Sequence, residues 1–277
     1  MTIESTYIHG TSPEEQRRLS LMNDVLLNPA SLRELALRGD ERIIDFGSGL
    51  GQFTRAMARA VPRGSVTGIE RDKAQIESAR RLAAAEGEAD LVNFSNGDVL
   101  NLDLPQGEWG SFDVAHARFV LEHVPDPLRV VENMLRALRP GGRVVLADDD
   151  HDVMRLWPEP PGFTDLWRAY MRTYDRIGND PYVGRRLVSL IHQAGGQPVR
   201  NTWIFFGGCA GMPIFDVLTA NMIGIVQTAR QTILAQHLSD QKTFDIAIEN
   251  YREWARRPDA AIWFGMSWAE GMAMERH

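Results

Sequence analysis

The pattern of hydrophobic and polar positions changes at about residue 41. From there, short apolar segments alternate with stretches in which apolar residues recur at helical spacing. The predicted strands are ERIIDF, SVTGIE, VNFSN, FDVAHA and GRVVLAD, and predicted helices lie between them near residues 52–60, 72–86 and 127–138. This alternation is typical of right-handed crossovers, so we expect an α/β fold with a doubly wound, mostly parallel sheet covered on both faces.

The alternation weakens after residue 150, where helical character dominates. Two further strands are predicted near residues 197–206 and 261–268. The stretches between them, about 151–178 and 208–258, are interpreted as helical insertions that grow from the same sheet. Ligands of open α/β sheets bind at the carboxyl ends of the strands, so we expect these insertions to form the walls of a pocket there.

Composition mainly excludes classes of protein. The chain is 44% hydrophobic and 24% charged, as folded domains are. Its net charge of −7 disfavours a nucleic-acid partner, which would require a basic face. The chain contains neither an apolar run of about 20 residues, as a membrane span needs, nor a signal-peptide pattern at its start. A single cysteine, Cys209, excludes an internal disulfide. We therefore expect a cytoplasmic protein with no membrane or nucleic-acid partner.

The segment DFGSGLG follows the first predicted strand and precedes a helix. Its alternate glycines permit a tight turn and a close approach of backbone to a ligand. These glycines are Gly47, Gly49 and Gly51. A dinucleotide-binding loop would carry its third glycine where Gln52 stands, and the ionised Asp45 would repel phosphates. An ammonium or sulfonium would instead be attracted to Asp45, so the loop favours an adenosine-bearing cation.

Two more acidic residues follow predicted strands in the same way. Glu70 ends the second strand, where a carboxylate can accept hydrogen bonds from both hydroxyls of a ribose. Asp98 follows the third strand, where it could accept the exocyclic amine of adenine while Val99 packs on the ring. An Asn-Gly-Asp sequence is also an ordinary turn, so a purely structural role for Asp98 stays open.

The chain resembles the class I S-adenosylmethionine-dependent methyltransferases, in the group related to ubiquinone and menaquinone biosynthesis enzymes and to natural-product methyltransferases. The matching segments are IIDFGSGLGQ, VTGIERD, NGDVLNL, FDVAHARFVLEHV and LRPGGRVVLADDD, in the expected order within residues 41–150. The resemblance implies a seven-stranded Rossmann-like sheet whose last strand runs antiparallel, assigned here to residues 261–268. It also implies a three-part chain: an N-terminal helical lid in residues 1–40, a cofactor-binding core in 41–150, and the remaining sheet with its insertions in 151–277.

The resemblance implies S-adenosyl-L-methionine as cofactor, with S-adenosyl-L-homocysteine as product. Asp45 and the glycine loop would hold the methionine end, Glu70 the ribose, and Asp98 with Val99 the adenine. The groove would be completed by residues from two further segments. These are Arg71 and Ala117.

The N-terminal segment resembles the entrance lid of relatives, which closes over the cofactor. Tyr7 would then touch the cofactor and His9 the acceptor, although both could equally belong to a mobile terminus.

Candidates for acid–base chemistry lie near the ends of the fourth and fifth strands. His116 and His151 are the predicted catalytic residues, because an imidazole exchanges a proton near neutral pH. Arg118 and Asp149 are predicted to bind the acceptor. We expect no metal site, because the acidic run from Asp148 has no second cluster that would complete a coordination shell.

Aromatic residues of the first insertion are the remaining candidates for binding the acceptor. They are Trp157, Tyr170 and Tyr174. If they face the cleft rather than the core, a flat organic acceptor would fit against their rings. We therefore expect methyl transfer to O, N or C of a small molecule. RNA or protein methylation and a non-methylating cyclase or regulatory role remain as alternatives, with a nicotinamide oxidoreductase more distant. The sequence does not determine the oligomeric state, and a homodimer stays open.

Overall fold

The computed structural model describes residues 27–275, apart from the side chains of residues 176 and 177. The strands are β1 Arg42–Phe46, β2 Ser65–Glu70, β3 Val92–Asn96, β4 Phe112–Arg118, β5 Leu138–Asp149, β6 Arg155–Trp157, β7 Gln197–Cys209 and β8 Ala261–Met272. The α-helices are α1 Asn28–Leu35, α2 Gln52–Ala60, α3 Lys73–Ala85, α4 Pro127–Ala137, α5 Phe163–Arg172, α6 Leu187–Gln193, α7 Pro213–Thr228, α8 Arg230–Ala235 and α9 Gln241–Ala255. Short 3-10 helices span Leu121–His123, His151–Val153, Thr173–Ile177 and Val183–Arg186.

The eight described strands form one mixed sheet in the order β3-β2-β1-β4-β5-β8-β6, and β7 also pairs with β8. The pairs among β1 to β5 are parallel, whereas β8 runs antiparallel to both β5 and β6. The predicted doubly wound, mostly parallel fold is therefore confirmed, including the antiparallel last strand.

Strand β1 lies at the centre of the parallel part of the sheet, and four of its five residues are buried. Ile43, Ile44 and Phe46 are each fully buried. Strand β2 flanks it on one side and β4 on the other. A strand that is apolar on both faces needs helices on both, which the crossovers through α2, α3 and α4 supply.

The described chain divides into two compact units. The core unit comprises residues 27–149, Val183–Ile204 and 266–275, and the insertion unit comprises Asp150–Tyr182 and Phe205–Gly265. The core unit holds β1 to β5 with their helices. The insertion unit is mainly helical, and in it Phe163 of α5 stacks on Tyr251 of α9, with ring centroids 4.8 Å apart.

The structure differs from the sequence expectations in two places. The first insertion contains a strand, β6, whose three residues are too few to produce a periodic signal; it gives the sheet eight strands instead of seven. Strand β5 begins at Leu138, before the predicted GRVVLAD segment, and its pairing with β4 includes a register shift. The predicted lid residues Tyr7 and His9 lie outside the described residues. Among those that are described, no helix is both long and apolar enough to span a membrane.

A buried carboxylate on β8 ties three parts of the core unit together. Glu270 accepts hydrogen bonds from Arg143 on β5 at 2.9 Å, Arg200 on β7 at 2.7 Å and the indole of Trp268 at 2.9 Å. Burial alone would raise the pKa of Glu270. The hydrogen bonds from Trp268, Arg200 and Arg143 outweigh burial, so the pKa is lowered from the ordinary glutamate value.

We expect Glu270→Gln to lower the free energy of unfolding by about 2 kcal/mol at pH 7, the range for hydrogen bonds to a charged group. Because the folded-state pKa is lowered, this stabilisation is present above the ordinary glutamate pKa of about 4.3 and is lost as pH falls through the folded-state value. The difference in free energy of unfolding between wild type and Glu270→Gln, measured by urea denaturation, should be smaller at pH about 4 than at pH 7. Glu249→Gln, which breaks an exposed ion pair with Arg252, is the control and should cost at most about 0.5 kcal/mol. Equal effects of the two substitutions would contradict the role of Glu270.

Candidate functional site

The glycine loop is fastened to the end of the neighbouring strand. The backbone amides of Gly47 and Ser48 both donate to the carbonyl of Ile69 on β2, each at 2.9 Å. The amide of Gly51 then donates to the carbonyl of Ser48 at 2.9 Å and turns the chain into α2. The loop therefore lies at the carboxyl edge of the parallel strands, where open α/β sheets bind their ligands.

The three loop glycines have different surroundings. All three have positive φ, but a side chain at Gly47 would meet Val120 at 2.5 Å and one at Gly51 would meet the ring of Phe94 at 2.3 Å. At Gly49 the nearest described atom is the Gln75 Oε1, at 3.5 Å. Neighbouring side chains of the protein therefore fill the space beside Gly47 and Gly51, whereas the space beside Gly49 is open.

Glu70 joins the loop to the next helix. One carboxylate oxygen accepts from the backbone amide of Gly49 at 3.0 Å, and the other accepts from the amide of Asp72 at 2.9 Å. Asp72 is the N-cap of α3. Each oxygen keeps a further lone pair, so the carboxylate is held in place and can still accept a hydroxyl group. The next residue, Arg71, is exposed.

Asp98 is engaged by its own turn. Its two carboxylate oxygens accept from the amide of Leu100 at 3.0 Å and from the side chain of Asn101 at 3.3 Å. The turn lies beside Glu70, because the amide of Gly97 donates to the Glu70 carbonyl at 3.0 Å. The structure thus brings these two predicted cofactor residues to one edge, and Val99 beside them is partly buried against the core. The adenine contacts predicted for Asp98 and Val99 stay predictions.

Asp45 lies in a buried hydrogen-bonded cluster. One carboxylate oxygen is 2.8 Å from the Nδ1 of His116 on β4, and the other accepts from the hydroxyl of Thr54 on α2 at 2.6 Å. The exposed fractions of Asp45, Thr54 and His116 are 4%, 0% and 1%. The predicted catalytic residue His116 thus contacts the predicted cofactor residue Asp45, and its assignment as a base stays a prediction. Ala117, the next residue on β4, is buried in the hydrophobic core.

Arg118 extends the cluster at the end of β4. Its guanidinium lies 4.2 Å from the centre of the Phe53 ring and donates to Asn28 at 2.9 Å and Ser31 at 3.2 Å. Burial lowers the pKa of Arg118 to about 10, and the negative charge of Asp45 opposes that change. At neutral pH the guanidinium therefore stays charged. Its predicted contact with an acceptor stays a prediction.

The acidic run at the end of β5 contains one clearly structural residue. Asp148 is fully buried and accepts from the amides of Leu121 at 2.8 Å and Val120 at 3.1 Å, which hold the turn after β4. Burial raises the pKa of Asp148 well above its ordinary value, and the carboxylates of Glu122 and Asp149 raise it further. The predicted acceptor residue Asp149 is 8% exposed and donates its backbone amide to Asp148 at 3.1 Å.

Four predicted residues lie in the insertion unit. His151 is buried, with its Nε2 3.3 Å from the hydroxyl of Tyr174, which is 2.9 Å from the hydroxyl of Tyr170. Trp167 completes this group by donating its indole hydrogen to the His151 carbonyl at 2.8 Å. Trp157, by contrast, is 67% exposed on β6. Three of the four thus form one cluster, and Trp157 is separate from it. The roles predicted for all four stay predictions.

The residues at the carboxyl edge of the core unit fit an adenosyl cation. Two carboxylates, Asp45 and Glu70, lie at the ends of adjacent parallel strands, and the open position at Gly49 lies against Glu70. Neither carboxylate has its hydrogen-bonding capacity filled by the contacts described. A negative edge with an open backbone position suits a positively charged nucleoside better than a pyrophosphate.

Comparison with known proteins decides the family. A methyltransferase domain family matches residues 44–146, which run from β1 into β5 and contain the glycine loop, Glu70 and His116. Residues 44–146 thus form a class I S-adenosylmethionine-dependent methyltransferase domain. The cofactor of this family is S-adenosylmethionine.

Individual relatives agree with the family. The 27-O-demethylrifamycin SV methyltransferase of Amycolatopsis mediterranei is 38% identical over 128 residues, which is 46% of this chain and 44% of that protein. The O-methyltransferase cnsE of Penicillium expansum is 32% identical over 195 residues, 68% of this chain and 64% of that protein. The solved structure of a provisionally assigned methyltransferase from Bacillus halodurans is similar in fold, with a TM-score of 0.59 at 17% identity over 90% of this chain and 99% of that one. The methyltransferase spans less than two thirds of the length of these curated relatives.

Sequence reasoning missed two residues of this edge. Thr54 belongs to no motif that the sequence reveals. Only its place in the first turn of the helix after the loop could have indicated its contact with Asp45. In the sequence, Asp148 is only one member of a charged run. In the structure it accepts hydrogen bonds from two backbone amides in the turn after β4, and no sequence pattern predicts that contact.

We expect Gly51→Ala to destabilise the methyltransferase more than Gly49→Ala does. A residue with a side chain at positive φ costs about 1–2 kcal/mol at either position, but at Gly51 the added carbon also overlaps the Phe94 ring, which typically costs a further 1–3 kcal/mol or so. Urea denaturation of both variants measures the difference. Equal destabilisation would contradict the distinction between the open and the packed glycine.

Proposed function

We propose that this methyltransferase moves the methyl group of S-adenosylmethionine to oxygen, nitrogen or carbon of a small organic acceptor. The observation that carries the proposal is the carboxylate of Glu70, fastened to both the glycine loop and the start of α3 at the edge where the sheet binds its ligand. The family match over this same edge supports it.

When bound, S-adenosylmethionine supplies an electrophilic methyl group on a positively charged sulfur. The protein's task is to hold that group in line with the acceptor, and positioning of this kind contributes about 7–11 kcal/mol in the best cases. Glu70 would orient the ribose, and Asp45 would face the cationic methionine end. Both carboxylates are held by the backbone and side chains around them, so they need little rearrangement on binding.

An oxygen acceptor is favoured by the relatives. One relative is named an O-methyltransferase. The name of another, 27-O-demethylrifamycin SV methyltransferase, indicates that it methylates an oxygen. A hydroxyl acceptor must lose its proton, and a general base adds roughly a hundredfold to ten-thousandfold to the rate. His151 is proposed for that role, with its Nε2 3.3 Å from the hydroxyl of Tyr174, a contact that orients the imidazole ring. The net charge of −7 speaks against RNA as the acceptor and is compatible with a cytoplasmic location.

We expect Glu70→Gln and Asp45→Asn each to weaken S-adenosylmethionine binding by roughly tenfold or more, the loss expected when a hydrogen bond to a charged group is removed. Isothermal titration calorimetry measures the affinity directly. Glu77→Gln removes the same charge from an exposed position on α3 and should leave the affinity unchanged. Unchanged affinity in both site variants would refute this assignment of the cofactor site.

Transfer itself is tested with a panel of small hydroxylated, amino and 1,3-dicarbonyl compounds. Mass spectrometry should find one acceptor class that gains a methyl group while S-adenosylhomocysteine accumulates in equal amount. Tight cofactor binding without any methyl transfer across the panel would instead favour a non-methylating role such as cyclisation.

A further inference from the structure

The carboxylate of Asp45 is held from two sides by different elements. His116 reaches one oxygen from β4, and Thr54 reaches the other from the first turn of α2. Strands β1 and β4 pair in a register that sets Asp45 directly beside His116, so their side chains project from the same face of the sheet. Three elements therefore determine the direction of a single carboxylate.

In the part of the chain that the structure describes, His116 makes its side-chain hydrogen bond to Asp45. Among the described residues, the Nε2 of His116 is buried and has no hydrogen-bond partner. The ring instead packs against Phe53, with centroids 5.0 Å apart. Because an ionised carboxylate only accepts hydrogen bonds, the contact at Nδ1 places a proton on that nitrogen. At 1% exposure the imidazole is better placed to hold Asp45 than to meet an acceptor.

The arrangement leaves part of the hydrogen-bonding capacity of Asp45 open. The Thr54 hydroxyl and the Nδ1 of His116 each occupy one position on the carboxylate, and the charge of Arg118 acts on the same carboxylate from the end of β4. Each oxygen retains a lone pair, and its direction is set because Thr54 and His116 occupy the other positions. A buried carboxylate in this state can be directed at a cationic ligand.

We propose that His116 is a positioning residue, which fixes the Asp45 carboxylate toward the positively charged methionine end of the cofactor, with Thr54 fixing it from the other side. This inference rests on the proposed function, because it assumes that S-adenosylmethionine binds at this edge. It differs from the base role predicted from the sequence, since the imidazole acts through Asp45 and touches no reacting atom.

Two amide substitutions separate positioning from simple filling of the buried space. Asparagine carries its amide group on Cγ, as histidine carries Nδ1, so His116→Asn can still donate to Asp45. Glutamine carries its amide one carbon further out, near the position of Nε2, so His116→Gln loses the donor while keeping a polar side chain in the core. Glutamine nearly fills the space of histidine, whereas asparagine leaves a cavity, so packing alone would favour the glutamine variant. Only the asparagine variant keeps the hydrogen bond to Asp45.

The experiment measures the dissociation constants of S-adenosylmethionine and S-adenosylhomocysteine for the full chain and both variants by calorimetry, with thermal denaturation in parallel. We expect His116→Gln to weaken both ligands by about tenfold or more, the usual cost of removing a residue that orients a ligating group. His116→Asn should bind both ligands within about threefold of wild type, even though its cavity lowers the midpoint of unfolding. Equal affinities of the two variants, or affinities that simply follow their stability, would overturn the proposal.

Thr54 provides an independent arm. Thr54→Ser keeps the hydroxyl that donates to Asp45, whereas Thr54→Val keeps the shape and removes the donor. We expect the valine variant to bind S-adenosylmethionine several-fold more weakly than the serine variant. The reverse order would count against positioning of Asp45.

The failure of this inference can be told from failure of the proposed function. Wild-type protein that binds no S-adenosylmethionine would refute the function itself, and the inference with it. Wild-type protein that binds the cofactor and transfers methyl groups, beside a glutamine variant of equal affinity, would refute only the role of His116. A base role would appear instead as a lower turnover number of His116→Asn at saturating cofactor with unchanged affinity, and that result would also overturn the proposal.

Discussion

Parallel pairing of β1 with β2 on one side and β4 on the other is the constraint on which the site depends. The carboxyl ends of parallel strands meet at one edge, so residues distant in the sequence become neighbours there. Asp45, Glu70 and His116 are brought to this edge by the register of the three strands. The buried apolar residues of β1 make that register stable, because a shift by one residue would turn Asp45 to the opposite face.

The acidic residues at this edge do different work although they look alike in sequence. Glu70 and Asp45 are held by hydrogen bonds that leave further lone pairs on their carboxylates. Asp148 is fully buried and holds the backbone after β4, and its raised pKa reflects the cost of a charge there. Asp98 stabilises its own turn. Hydrogen-bond partners thus distinguish the carboxylates proposed to bind the cofactor from Asp148, which holds the backbone.

The family match falls within one of the two units of the chain. The family match lies in the core unit, which carries the glycine loop and the carboxylates proposed to hold the cofactor. The insertion unit contains the His151, Tyr170 and Tyr174 cluster and lies outside the matched residues. Family membership supplies no assignment for these three residues.

Local patterns in the sequence were enough to determine the α/β class, the positions of most strands and helices, and the family. An apolar strand, a glycine turn and an amphipathic helix are each specified by residues close together in the chain, as DFGSGLG shows. Only the tertiary structure decided that Gly51 makes room for Phe94 while Gly49 stays open, and that β6 joins the sheet. It alone also decided that His116 and Thr54 both contact the carboxylate of Asp45. Those contacts join residues that lie far apart in the sequence or belong to different elements, and hydrogen bonds and steric limits across such distances have no local pattern from which they can be predicted.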